Sequence, residues 1–205
     1  MKNAFVAILL AAVLLVVPIV ASAMTSAECH DLMRKLWTDE AFWMRSYMIS
    51  ALFGLPDREA AAQRLMQNQT DIGNAIKSFY GDDAGNRLTG LLKEHVTIAM
   101  ELIDADKAGD KAKNDDAMDR WEANGDKIVD FLSSANPNSW PHGDMEAMFR
   151  KHLELMGAEI DLILVKDWPL EVIYYDFMNG VAIEMADALS AGLVAQFPDE
   201  FARED

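Results

Sequence analysis

The stretch "LLKEHVTIAMELI", residues 91–103, decides the fold, because its apolar residues recur at every third or fourth position around one histidine. Leu92 stands three residues before His95, and Ile98 stands three residues after it. These side chains share one face of a helix, and the large apolar neighbours direct the imidazole toward a core. The stretch therefore predicts a helix that buries a histidine.

The same helical spacing of apolar residues continues through the chain, and no segment shows the sustained alternation of a strand. The sequence predicts an all-α fold, a bundle of about six helices. Pro56 and Pro169 are expected in the first turns of their helices, where a missing N–H is tolerated. The predicted helices run near residues 28–53, 57–80, 84–107, 111–134, 142–165 and 169–197.

Two other stretches align with the first one, namely "LWTDEAFWMRSYM" at residues 36–48 and "MFRKHLELMGAEI" at residues 148–160. The alignment superposes Glu40, His95 and His152, which are 55 and 57 residues apart. A repeat with a period near 56 residues predicts three copies of one antiparallel helical hairpin. The two histidines are then copies of one position in the repeated unit.

The alternate helices align as well, through "RLMQNQTDI", "RWEANGDKI" and "YDFMNGVAI". This alignment superposes Asn68, Asn124 and Asn179, at separations of 56 and 55 residues. Residues equidistant from the turn of an antiparallel hairpin lie at the same height, so each asparagine is expected opposite the Glu or His of its own hairpin. The sequence therefore predicts one polar layer inside the bundle.

Two imidazoles and one carboxylate are a ligand set for a divalent transition metal. Zinc, iron and copper all accept such ligands. The predicted metal ligands are Glu40, His95 and His152. The three asparagines, with Asp71, Asp126 and Asp176 within three residues of them, are expected to support the site by orienting the imidazoles or adding ligands.

Two other interpretations of the layer stay open. A polar layer whose members satisfy each other's hydrogen bonds fixes the register of the helices without any ligand, as in a structural or interaction module of the cell envelope. An enzyme would use a layer histidine as a general base. The sequence favours binding over catalysis, because no nucleophile is positioned beside a histidine.

The N-terminus has the features of a secretory signal peptide: Lys2, an apolar run over residues 4–20, and Ala21-Ser22-Ala23 as a cleavage site. The prediction is a signal peptide at 1–23, with an uncleaved anchor as the alternative, followed by one helical domain at 24–205. The protein is then exported to the periplasm, the cell surface or the medium. No later apolar run is expected to span a membrane.

The formal net charge of −16 indicates that nucleic acid is not a partner, because an acidic surface repels phosphate. Cys29 is the single cysteine, so it cannot form an internal disulfide. Its place near the mature N-terminus predicts an exposed or half-ordered thiol. The alternative that would give this thiol a role is a disulfide-linked dimer through Cys29 or a metal contact.

The combination of "LWTDEAFWMRSYMISALFGLPD", "LLKEHVTIAMELI", "RWEANGDKIVDFLSSANP" and "EMADALSAGLVAQFPDEF" resembles an uncharacterised family of small helical proteins of bacteria and archaea. Its members often carry a hypothetical or glycosyltransferase label. The resemblance implies a histidine at the place of Glu40 in many relatives, hence a three-histidine set. A glycosyltransferase would need an α/β sheet and a diphosphate-binding element, and the residues indicate neither.

Overall fold

The computed structural model describes residues 24–202, and the predicted signal peptide at 1–23 lies outside them. In this part of the chain, six α-helices and one short 3-10 turn account for the regular structure, which confirms the all-α bundle. The helices are α1 (Ser26–Phe53), α2 (Arg58–Ala75), α3 (Lys77–Ala108), α4 (Lys111–Ala135), α5 (His142–Val165) and α6 (Trp168–Gln196).

The helix ends follow from local chemistry. Thr25 and Glu28 form a capping box, in which each side chain accepts from the other's backbone N–H. Gly54 and Gly109 end α1 and α3 in the left-handed conformation that favours glycine. Lys166 ends α5 in the same conformation, with φ 61°, although it carries a side chain. The three turns therefore lie where the sequence places them, within a few residues.

The boundary between α2 and α3 differs from the predicted one. The predicted second helix continues to residue 80, whereas α2 ends at Ala75 and α3 already begins at Lys77. Gly81 does break the helix, with φ 82° and ψ 170°, but the chain continues helically on both sides of it. Pro56 precedes the N-cap Asp57 of α2, so it lies in the turn and not in the first helical turn.

The six helices form a closed ring in which each helix packs against its neighbours in the chain and α6 packs against α1. Helix α1 also contacts α3 and α5 across the bundle. The three helices that carry Glu40, His95 and His152 therefore approach each other inside the ring. Helices α4 and α5 pack less extensively than any other neighbouring pair of the ring.

Cys29 is buried in the core, with 2% of its surface exposed, and burial raises the pKa of its thiol. The predicted exposed or half-ordered thiol is wrong, because the capping box starts α1 before Cys29 and α6 packs along α1. A disulfide to a second copy would require the beginning of α1 to leave the bundle.

Helix α6 is long and apolar enough to cross a membrane by length and composition alone, whereas no such run is predicted after residue 20. A buried core helix of a globular protein can have the same length and composition. The second half of α6 is such a helix, since Met185, Leu189 and Leu193 lie in the core. Its first half exposes Val172, Ile173 and Phe177.

Candidate functional site

Glu40, His95 and His152 line one small cavity inside the bundle. The cavity has room for about 30 Å³ of water-sized contents. That is enough for one or two water molecules or a single ion, and too little for an organic substrate. The structure therefore brings the three predicted ligands to one place, as their shared register suggests.

The orientation of the His95 ring is fixed by Asn124. His95 Nδ1 lies 2.8 Å from Asn124 Oδ1, and Asn124 Nδ2 donates to the Leu91 carbonyl at 3.3 Å. Because the amide nitrogen is used as a donor, Asn124 Oδ1 accepts and His95 Nδ1 carries the proton. The other ring nitrogen, Nε2, then has a free lone pair. It is buried and has no hydrogen-bond partner among the described residues.

The two imidazoles are neighbours, with ring centroids 6.1 Å apart. Trp121 stacks on His95 at 5.1 Å, and Phe149 contacts both rings edge-on. Burial, together with the neighbouring His152, lowers the pKa of His95 to about 3. Burial of its ring lowers the pKa of His152 to about 4, although the residue keeps part of its surface exposed. Both rings are therefore neutral at pH 7, the form that binds a metal ion.

Glu40 lies in a setting that opposes its charge. Its side chain is buried on α1, and it makes no hydrogen bond with any residue in the described range. Burial raises the pKa of Glu40 to about 7. A carboxyl group that is half protonated at neutral pH releases its proton when a cation arrives.

The three asparagines differ in their positions. Asn68 is fully buried, but its Nδ2 donates to the Leu36 carbonyl at 3.0 Å rather than to Glu40. Asn179 is half-buried and makes no hydrogen bond to the layer within residues 24–202. The expected pairing across the hairpin is therefore direct only between Asn124 and His95.

The three aspartates do not reach the imidazoles. Asp71 is partly exposed and pairs with Arg64 at 3.6 Å and with Gln67 at 2.8 Å. Asp126 and Asp176 are exposed. Asp126 is two residues from Asn124, which is about 200° around the helix, so it faces away from the cavity. Asp71 and Asp176 are three residues from their asparagines, only about 60° around the helix, yet Asp71 is held by Arg64 and Asp176 lies at the surface. The aspartates are predicted to orient the imidazoles, but Asn124 is the residue that orients His95.

One residue beside the cavity is not indicated by the repeat pattern of the sequence. Gln69 is buried beside the cavity, and its Nε2 donates to the Leu65 carbonyl at 3.1 Å. The aligned positions in the other hairpins are Gly125 and Gly180, so the only signal for Gln69 was its departure from the repeat.

A second buried polar cluster is not indicated by the sequence pattern either. Arg45 donates to both carboxylate oxygens of Glu171, at 2.5 and 2.8 Å. Its Nε lies 3.7 Å from Glu159 Oε1, which has no hydrogen-bond partner in the described part of the chain. Burial, and then the negative charge of Glu171, raise the pKa of Glu159 to about 8. The core therefore contains two carboxyl groups beside one guanidinium, and the charge of Glu40 adds a smaller rise to the pKa of Glu159.

The side chains as they stand do not form a complete metal site. Within residues 24–202, no group of three or more His, Cys, Asp or Glu side chains could hold a metal ion. An imidazole centroid lies about 3.2 Å from a metal ion bound by its nitrogen, so two imidazoles on one ion are at most about 6.4 Å apart. The 6.1 Å between His95 and His152 lies inside this limit. For a tetrahedral angle between the two nitrogens at the metal ion, the two ring centroids would have to move about 1 Å closer together.

Comparisons of the chain with protein-family models, with curated proteins and with solved structures found no match. The resemblance to a family of small helical proteins and the internal repeat both stay predictions.

Proposed function

We propose that the protein binds one divalent transition-metal ion in the internal cavity, through His95, His152 and Glu40. The observation that carries the proposal is the His95 ring. Asn124 holds its protonated Nδ1, and the buried Nε2 keeps an unused lone pair beside a second neutral imidazole. A hydrogen bond to the non-ligating nitrogen is the usual way in which proteins orient a histidine toward a metal. Because residues 1–23 are predicted to direct export, we place this function outside the cytoplasm.

Glu40 completes the proposed ligand set and neutralises part of the charge. The imidazoles need no deprotonation at pH 7, whereas the raised pKa of Glu40 means that binding releases up to one proton. Zinc, iron and copper accept two nitrogens and one carboxylate oxygen, and the cavity has room for a water as a further ligand.

Metal content tests the proposal most directly. The protein is purified without chelator, loaded with Zn²⁺, dialysed and analysed for bound metal, beside the double variant His95→Ala/His152→Ala. The chain has four histidines, so His30→Ala/His142→Ala removes the same number of imidazoles at partly exposed positions and is the matched control. We expect about one Zn²⁺ per chain in the wild type and the control, and a loss in the cavity variant. Equal metal content in all three proteins would refute the proposal.

A purely architectural layer is the competing function, and one observation favours it. The His95–Asn124–Leu91 hydrogen bonds join α3 to α4 without any ligand. An architectural layer predicts that the cavity variant loses thermal stability and that Zn²⁺ leaves the melting temperature of the wild type unchanged. A metal site predicts that Zn²⁺ raises this temperature in the wild type and in the His30/His142 variant, but not in the cavity variant.

A general-base enzyme has less support. The cavity beside the two histidines is too small for an organic substrate. The depressed pKa values of His95 and His152 also make each imidazole a weak base at pH 7.

A further inference from the structure

A cleft between α4 and α5 shares one wall residue with the cavity. It encloses about 370 Å³ between these two helices. This is the least extensively packed pair of neighbours in the ring, so separating the two helices here breaks fewer contacts than elsewhere. The cleft therefore offers a route toward the cavity between the two neighbouring helices with the fewest contacts to break.

Phe149 is the wall that the cleft and the cavity share. Its side chain lines both spaces, and it is the only residue common to their linings. The centroid of its ring lies 6.1 Å from that of His95 and 6.3 Å from that of His152. Phe149 thus stands between the surface cleft and the two imidazoles, next to Trp121 of α4, which stacks on His95.

Gly125 leaves space beside this ring. A Cβ added at Gly125 would stand 3.8 Å from Phe149 Cδ1 and 3.8 Å from Leu153 Cδ1, in ordinary van der Waals contact with both. With glycine, that contact is missing and the ring has room to swing toward α4. An alanine at this position would hold the ring in its closed place without a clash.

The mouth of the cleft is acidic. Four carboxylates line it, and one guanidinium accompanies them. Arg150 pairs with Glu146 at 2.8 Å, whereas Glu122 and Asp126 make no ion pair with a described residue. A mouth with this excess of negative charge concentrates cations and repels anions. Its charge matches the ion that the cavity is proposed to bind.

We infer that the α4–α5 cleft is the entrance through which a divalent cation reaches the His95–His152 cavity, and that the Phe149 ring closes this entrance. The inference rests on the proposed metal-binding function and adds to it a route and a moving part.

Stopped-flow binding of Co²⁺ tests the entrance, since coordinated Co²⁺ absorbs visible light. We expect Phe149→Ala to raise the association and dissociation rates by about tenfold, with a smaller change in affinity, because a gate changes both rates. Phe131→Ala, the same truncation of a buried ring on α4 away from the cavity, is the control for loss of packing. Gly125→Ala should slow both rates. Equal rates in Phe149→Ala and wild type, or equal acceleration by Phe131→Ala, would overturn the inference.

The acidic mouth is tested with Glu122→Gln/Asp126→Asn. We expect its Co²⁺ association rate to fall several-fold, to about a third or less, at low ionic strength and to converge with that of wild type at high salt. Asp82→Asn/Asp83→Asn removes the same charge at exposed positions on α3 and is the control. An equal fall in both double variants would assign the effect to net charge and overturn the role of this mouth.

A reagent other than a metal separates the two proposals. Diethyl pyrocarbonate acylates neutral imidazoles, and mass spectrometry gives the rate at each histidine. If wild type binds no Co²⁺, the proposed function fails. The acylation rates still test whether the Phe149 ring closes the route to the cavity. Faster acylation of His95 and His152 in Phe149→Ala supports this closure, with His30 and His142 as internal standards, and unchanged rates overturn it.

Discussion

The first two hairpins lock their helices together with the same hydrogen bond, and the third does not. Asn68 and Asn124 are both fully buried, and each donates to the backbone carbonyl four residues before the layer residue of its hairpin. Those carbonyls belong to Leu36 and Leu91. Asn179 is half-buried and makes no such bond with a described residue.

The third hairpin differs because a salt bridge sets the rotation of α6. Glu171 is fully buried, and its pair with Arg45 ties α6 to α1. Seven residues later, on the same face, Met178 points inward. Asn179 is one residue further, which is about 100° around the helix. A long-range ion pair therefore overrides the position that an aligned amide would take.

The largest test of this comparison removes the ion pair. Arg45→Met leaves the fully buried Glu171 carboxylate without a cation, so we expect a loss of about 3–5 kcal/mol in the free energy of unfolding, measured with urea at pH 7. Arg34→Met breaks the partly exposed pair with Asp187 and is the control, with a loss under about 1 kcal/mol. Similar losses in both variants would mean that the buried pair does not anchor α6.

The asparagines give the next largest effect. Asn124→Leu leaves His95 Nδ1 without a partner and removes the second hydrogen bond to the Leu91 carbonyl, which should lower the free energy of unfolding by about 1–3 kcal/mol. We expect a similar loss for Asn68→Leu and a change within about 0.5 kcal/mol for Asn179→Leu. Urea denaturation of the three variants under one condition makes the measurement. A loss at Asn179 equal to the others would contradict the difference between the hairpins.

The pH dependence of stability tests the Glu159 carboxyl. Its pKa is about 8 in the folded protein against a usual value of 4.5, so the folded state binds more protons and stability falls as pH rises through this window. Glu171, Arg45 and Glu40 are the charged groups that act on it. Between pH 7 and 8 we expect wild type to lose about 1 kcal/mol.

Glu159→Gln should lose less than half as much over the same interval, because the amide cannot ionise. The remaining slope belongs to Glu40, whose raised pKa acts in the same direction at about pH 7. His95 and His152 titrate well below this window. A slope unchanged by Glu159→Gln would show that this carboxyl is already ionised at pH 7.

The smallest expected effect concerns the end of α5. Lys166 has φ 61°, a conformation that costs little for glycine and more for a residue with a Cβ. Lys166→Gly should raise the free energy of unfolding by up to about 1 kcal/mol, and Lys166→Ala should not. Lys166→Ala is the control, because it also removes the contact of the lysine with Phe53 but keeps the Cβ that disfavours this backbone conformation.

Local signals in the sequence predicted most of the helix ends and the inward face of the layer. The turns at Gly54 and Gly109 depend on only a few neighbouring residues. The apolar residues that direct Glu40, His95 and His152 inward belong to the same helix as the polar residue that they flank. Such short-range patterns can be recognised from the sequence because they need no knowledge of which helices meet.

The features that the sequence did not predict depend on contacts between distant segments. Arg45 and Glu171 are 126 residues apart, and neither has a local pattern that assigns it a partner. The rotation of α6, and with it the place of Asn179, follows from that pair. Cys29 was misplaced for the same reason, because its burial depends on α6 packing against α1.

The buried Cys29 gives the protein a built-in reporter of local opening. It is the single thiol of the chain, and it lies where the start of α1 meets the core. A thiol reagent can modify it only when that region opens, so the labelling rate of the unmodified protein reads the opening equilibrium between α1 and α6. No engineered probe is needed, and each variant described above can be compared on this scale.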